Sequence, residues 1–199
     1  MQSKAIWFMQ IKDWRGQGVS SFDYLSSFYG LLLGIAIANV AIGFADMWRD
    51  CDRIPVGLAP PLLSAIVLLG GMNVWLTMWH IRSDVGVTAW QMLAAAFVAL
   101  PYVFVSRAMF PGIEKDPEGS LEDHYLKHRK LILGVMVVPG VASAISKLLL
   151  DRVWDHGWEM WWILVRIAMP LGLIAIGSRK GQRIGLSFFV LLELVGLFR

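Results

Sequence analysis

An all-α, polytopic membrane protein with six transmembrane helices is the fold this sequence predicts, and three observations predict it. Of 199 residues, 57% are hydrophobic and only 17% charged, whereas a soluble domain has roughly 25% charged and about 45–50% apolar residues. The apolar residues gather into six runs of about 16–24, the length a helix needs to cross a hydrocarbon core of ~30 Å. No connection between the runs is long enough to fold as a domain. With a mean hydropathy of +0.59, the polar residues are too few to cover the apolar ones, which excludes a soluble single domain.

The chain divides into a tail, 1–21, and a six-helix transmembrane domain, 22–199. In the tail Trp7, Ile11 and Trp14 recur at helical spacing beside Lys4 and Lys12, the pattern of a basic amphipathic interfacial helix; a disordered basic tail fits the same composition. Asp13 and Arg15 interrupt the apolar residues, so no signal-peptide core is expected.

The six runs follow in order at 25–46, 57–80, 86–109, 131–150, 158–178 and 183–198. Short polar segments separate them, and the longest, GIEKDPEGSLEDHYLKHRK, lies between the third and fourth. Six crossings put both termini on one side, here side A, and the first, third and fifth connections on side B. Side B carries ten Lys and Arg residues and side A seven. Basic residues near span ends resist translocation, so side B, with loop 110–129, is expected to be cytoplasmic. Seven tryptophans, from Trp75 to Trp162, fall near the A-side ends of runs, and Trp48 marks side B. They read as an anchoring belt at the headgroup level, or alternatively as an aromatic vestibule.

Internal symmetry is faint. YLSSFYGLLLGIAIANV from Tyr24 aligns with YLKHRKLILGVMVVPGV from Tyr125 with one gap, matching Tyr24 to Tyr125 and Gly34 to Gly134. Two halves of three spans insert in opposite senses, so a 3+3 inverted repeat is the corresponding expectation. DYLSSFYGLLLGIAIANV and HYLKHRK also resemble an uncharacterised group of bacterial multi-pass, about six-span hypothetical inner-membrane proteins. That resemblance implies a bacterial inner membrane and carries no chemistry with it.

Charges inside the runs are the main candidates for function. Arg166 lies about nine residues into the fifth run from side A, or ~14 Å. Glu193 lies about ten or eleven into the sixth from side B, or ~16 Å. An isolated charge at that depth costs at least ~2.5–3.5 kcal/mol, so the two are expected to pair, either as an anion- or proton-handling site or as a lock on helix register. Pro170 removes the amide that would bond the Arg166 carbonyl, and Pro101 and Pro139 do the same for Phe97 and Val135. All three prolines are candidate kinks.

Asn39, Asn73, Gln91 and Glu159 can bridge neighbouring helices; Asn39 and Glu159 join Arg166 and Glu193 in the candidate intramembrane polar site. Gly30 and Gly34 form a GxxxG pair, suited to packing within the monomer or to a homo-oligomer. His124 and His128, four apart after Glu122 and Asp123, have metal-ligand spacing, although Lys127, Arg129 and Lys130 oppose a cation there.

The lone Cys51 excludes an internal disulfide and any site needing several cysteines from this chain. No nucleophile elbow, P-loop, dinucleotide fingerprint or zincin helix is present, so neither a catalytic centre nor a cofactor is assigned. A net charge of +3 is accounted for by residues flanking the helices, facing lipid headgroups, and does not point to nucleic acid. The expectation is a protein that binds or translocates a small solute or ion in the bilayer; the alternative is a non-catalytic accessory, sensor or assembly subunit.

The orientation is testable. With loop 110–129 cytoplasmic, a cysteine at Ser120 is protected from impermeant thiol reagents in intact cells. Ready labelling with the membrane sealed reverses the orientation.

Overall fold

A computed structural model describes residues 21–49, 55–80, 82, 88–110, 120–149 and 157–198. The tail expected over 1–21 lies outside them, apart from Ser21, which opens the first helix. Among these residues six helices form, in chain order: α1 Ser21–Arg49, α2 Ala59–His80, α3 Ala89–Ala108, α4 Leu121–Leu149, α5 Gly157–Ala175 and α6 Arg179–Gly196. Among the described residues the fold is entirely helical.

Helices α1 to α4 are long and apolar enough to cross a membrane, while the apolar stretch Met160–Ala175 in α5 is shorter. Large apolar side chains stand exposed on all six helices, from Leu31 and Ile42 on α1 to Ile184, Phe188 and Leu191 on α6. A protein facing water does not carry that much contiguous apolar surface. This is a helical membrane protein whose apolar exterior is solvated by lipid.

Helix ends differ from the hydropathy runs where polar residues extend a helix beyond its apolar part. α4 begins at Leu121, ten residues ahead of its apolar run, because Ser120 caps it. The Asp123 amide donates to Ser120 Oγ (3.1 Å), and that hydroxyl donates to Asp123 Oδ2 (2.7 Å). α6 likewise begins at Arg179 instead of 183, since Ser178 Oγ accepts from the Gly181 amide. Thr88 and Gln91 complete a reciprocal capping box at the start of α3.

The main packing pairs are α4 with α5, α1 with α3, α3 with α4 and α2 with α6. The core runs through Tyr29, Ala36, Ile66, Val67, Tyr102, Val105, Ile132, Leu133, Leu186 and Phe189. The two helix triplets have different neighbour patterns: α1 packs mainly on α3, whereas α4 packs mainly on α5.

The B-side ends gather closely. The Leu121 amide donates to Pro55 O (3.2 Å), tying the start of α4 to the approach to α2. Gly57 adopts a φ of 69°, a left-handed conformation glycine reaches without strain. The Glu122 carboxylate fills the space where a Cβ would stand.

Pro101, Pro139 and Pro170 all lie inside helices and are all buried, so each meets neighbouring helices and not lipid. Gly140, next to Pro139, faces α5; a Cβ there would stand 2.8 Å from Ile167 Cγ1 and 3.4 Å from the Arg166 carbonyl carbon. Gly30 is covered by the Trp75 ring, while Gly34 has nothing within 4 Å. The GxxxG pair therefore splits between internal packing and an open surface. Trp48, Trp79, Trp90 and Trp161 are at least half exposed and point outward as a belt does. Trp75 stacks on Tyr29 with centroids 6.0 Å apart.

These approaches make Gly140 and Gly34 a discriminating pair. Gly140→Leu forces side chain and backbone apart at the α4–α5 contact and should destabilise by ~1–3 kcal/mol. Gly34→Leu should be near neutral. Melting curves of the two variants in detergent test this; equal losses would show that the α4–α5 approach is not close.

Candidate functional site

The α5–α6 hairpin is antiparallel, and its geometry brings the two candidate charges together. Arg166 Nε donates to Glu193 Oε1 (3.2 Å) and Arg166 Nη2 to Glu193 Oε2 (3.1 Å), the bidentate arrangement in which a planar guanidinium matches a carboxylate. Side-chain exposure is 11% for Arg166 and 3% for Glu193. Arg166 is therefore the member of the pair nearer to a free surface.

A third helix completes the cluster. Asn73 of α2 is buried, and its Nδ2 donates both to Glu193 Oε2 and to the Glu193 backbone carbonyl, each at 2.7 Å. Asn73 and Glu193 each stand fourteen residues after the first residue of their helix. α2 and α6 both start on side B, so the two side chains arrive at one level. Small residues let the helices close around the cluster: Gly196 packs against Trp162 and Asn73, and Gly70 against the Tyr102 ring. Tyr29 also reaches this region, its hydroxyl lying 3.5 Å from the Gly71 carbonyl.

Depth follows from α4. Gly140, which touches the backbone at Arg166, is nine residues beyond Leu131, where the apolar part of α4 begins. That is ~14 Å along the apolar part of α4. Within its own helix Glu193 lies three residues from the last residue, Gly196. It stands nearer the A end of α6 than the hydropathy run implies, because the helix ends at Gly196, two residues before the run does.

The other candidates lie elsewhere. Asn39 Nδ2 donates to Ser106 Oγ (3.2 Å), joining α1 to α3. It stands eighteen residues into α1 from side A, towards side B and away from Arg166. Glu159 is in the first turn of α5, and its side chain lies outside the described residues.

His124 and His128 do share a face, with ring centroids 4.7 Å apart. His124 Nε2 is 3.2 Å from the Ala108 carbonyl, and the neighbouring carboxylates are engaged by arginines. Among the described residues no group of three His, Cys, Asp or Glu side chains is placed to hold a metal ion.

Those arginine contacts form a second polar cluster on side B, which composition and spacing did not single out. Arg183 Nε and Nη2 each bond a Glu122 carboxylate oxygen at 2.7 Å, and Arg179 Nη2 bonds Asp123 Oδ1 at 2.5 Å. With Pro55, Gly57 and Ser120 these residues line an open polar cleft of about 480 Å³. Beneath it the Tyr125 hydroxyl donates to Gln182 Oε1 (2.6 Å), while Gln182 Nε2 donates to the carbonyls of Leu173 and Ile176, both at 2.6 Å. Gln182 thus adds a donor to carbonyls at the end of α5, where the helical bonding runs out; the Leu173 carbonyl also accepts from the Ile176 amide (3.2 Å). The partner of Glu193 on α2 was legible only as a polar residue suited to bridging; the two side chains are 120 positions apart. No family model, curated protein or solved structure matches this chain.

A double-mutant cycle tests the cluster. Arg166→Met or Glu193→Gln alone leaves its partner buried and uncompensated, for which ~3–5 kcal/mol is typical; the double variant should recover much of that loss. Asn73→Leu should cost ~1–3 kcal/mol by orphaning acceptors on Glu193. Additive losses from Arg166→Met and Glu193→Gln in detergent melts would mean that the two residues do not meet.

Proposed function

We propose that this chain is a six-span integral membrane protein that binds or translocates a small solute or ion, with Arg166, Glu193 and Asn73 as its polar site. The observation that carries this reading is a bidentate ion pair near mid-membrane, shared by three helices. An ionisable pair at that depth is expensive to keep, and such residues characteristically mark ion or substrate pathways. α5 and α6, of 19 and 18 residues, are ~28 Å and ~27 Å long, short but sufficient for a ~30 Å core. The charges of α6 lower its hydropathy, yet those on its inner face are paired.

The chemistry suggested is exchange of partners. A small anion competes with the Glu193 carboxylate for the Arg166 guanidinium donors. Buried prolines beside the site, Pro139 on α4 and Pro170 on α5, give these helices backbone able to hinge. The resemblance to bacterial inner-membrane proteins and the basic excess on side B support a bacterial inner membrane with loop 110–129 cytoplasmic. Gly34, open on α1, is the residue of the GxxxG pair available to a homo-oligomer.

A second reading, a non-catalytic accessory or assembly subunit, is favoured by one specific observation. Both carboxylate oxygens of Glu193 are met inside the bundle, as a purely structural lock requires.

Electrophysiology on solid-supported proteoliposomes separates the two. Concentration jumps of chloride, phosphate and acetate should evoke a transient current. That current should be absent from the Arg166→Met, Glu193→Gln double variant although the variant folds. No current from the wild type with any of these ions, together with full thermal recovery of the double variant, would favour the structural lock.

A further inference from the structure

The α5–α6 turn packs against α4. α4 and α5 run antiparallel, with Gly140 against Arg166–Ile167, and further towards side B the Arg129 guanidinium lies at Gly177 in the turn.

Two arginines of α6 are paired with the start of α4, Arg179 with Asp123 and Arg183 with Glu122. At the turn itself positive charge is left over. Among the described residues Arg129, Lys130 and Lys180 have no carboxylate partner, and Lys130 and Lys180 are exposed. Arg129 is held by a bond from Nη1 to the Leu126 carbonyl (3.4 Å), and its Nε is buried without an acceptor. A buried guanidinium N–H lacking an acceptor is rare in folded proteins. The apolar part of α4 starts at Leu131, so this level is the boundary between hydrocarbon and headgroups.

We propose that the α4/α5–α6 turn groove at Arg129, Lys130 and Lys180 is a binding site for the phosphate of an anionic phospholipid in the side-B leaflet. The phosphate diester supplies acceptors for the guanidinium and for both ammonium groups. Its acyl chains lie along the exposed apolar face of α6, where Ile184, Phe188 and Leu191 follow one another at helical spacing. Basic pockets between transmembrane helices recognise anionic headgroups by this means. The inference rests on α5 and α6 being embedded in the membrane, and is independent of what Arg166 and Glu193 handle.

Native mass spectrometry of the purified full chain, released from micelles containing equal phosphatidylglycerol and phosphatidylcholine, tests it. The wild type should retain phosphatidylglycerol preferentially. Lys180→Gln, at an exposed position, and Arg129→Met should each reduce that preference about fivefold, the equivalent of ~1 kcal/mol per cation at the surface. Arg129→Lys should restore part of it. Arg82→Met on side A, where Arg82 lies over the Trp79 ring, should leave it unchanged. Equal retention of the two lipids, or a preference insensitive to both Arg129→Met and Lys180→Gln, would overturn the site. Displacement of the lipid by millimolar inorganic phosphate would overturn the assignment to lipid and make free phosphate the ligand. Flux through the bundle, measured separately, distinguishes failure here from failure of the transport reading.

Discussion

Glu193 is the constraint around which the rest of the bundle is arranged. A buried carboxylate has no water to solvate it, so its charge must be met by donors from other helices. Arg166 supplies two and Asn73 a third, and each comes from a different element. Satisfying one side chain therefore dictates that α5 is antiparallel to α6, that α2 lies parallel to α6, and that all three meet at one level. The close approaches at Gly196, Gly70 and Gly140 are the steric counterpart of that requirement. Without small residues there, the donors could not come within hydrogen-bonding distance.

Polar interactions of α6 are distributed along its length according to depth. At Glu193 they are internal and fully paired. At the side-B boundary they become long cationic side chains that reach towards acidic partners on α4, as arginines do when their charge seeks a polar environment. Gln182 lies between the two regimes and spends its amide on the exposed carbonyls of α5. This explains how a helix carrying Arg179, Lys180, Gln182, Arg183 and Glu193 packs into an otherwise apolar bundle. Apart from the exposed Lys180, its polar groups face α4, α5 and α2, and its apolar stripe faces outward.

The two functional readings differ in what they ask of the same ion pair. A lock needs the pair to remain closed, whereas a site for a solute needs it to open at modest energy. The bidentate geometry and the third donor favour closure in the state described. The slight exposure of Arg166 relative to Glu193 and the buried prolines on α4 and α5 favour access.

Composition and periodicity by themselves determined the class: too little polar surface for water, helices of membrane length, and two intramembrane charges of opposite sign on consecutive helices. These properties are local, each depending on a stretch no longer than one span, and so they are legible along the chain. The pairing of Arg166 with Glu193 was also within reach of depth arithmetic, because a tight hairpin forces consecutive helices together. Asn73 on Glu193, Asn39 on Ser106 and the arginine contacts on side B were not. They depend on which helices are neighbours, and side-chain spacing along one helix carries no information about that. Helix starts at Leu121 and Arg179 were hidden for a related reason, since hydropathy registers where a helix enters lipid and capping decides where it begins. Only the tertiary structure, by choosing neighbours and levels, decided which polar residues of this chain share a site.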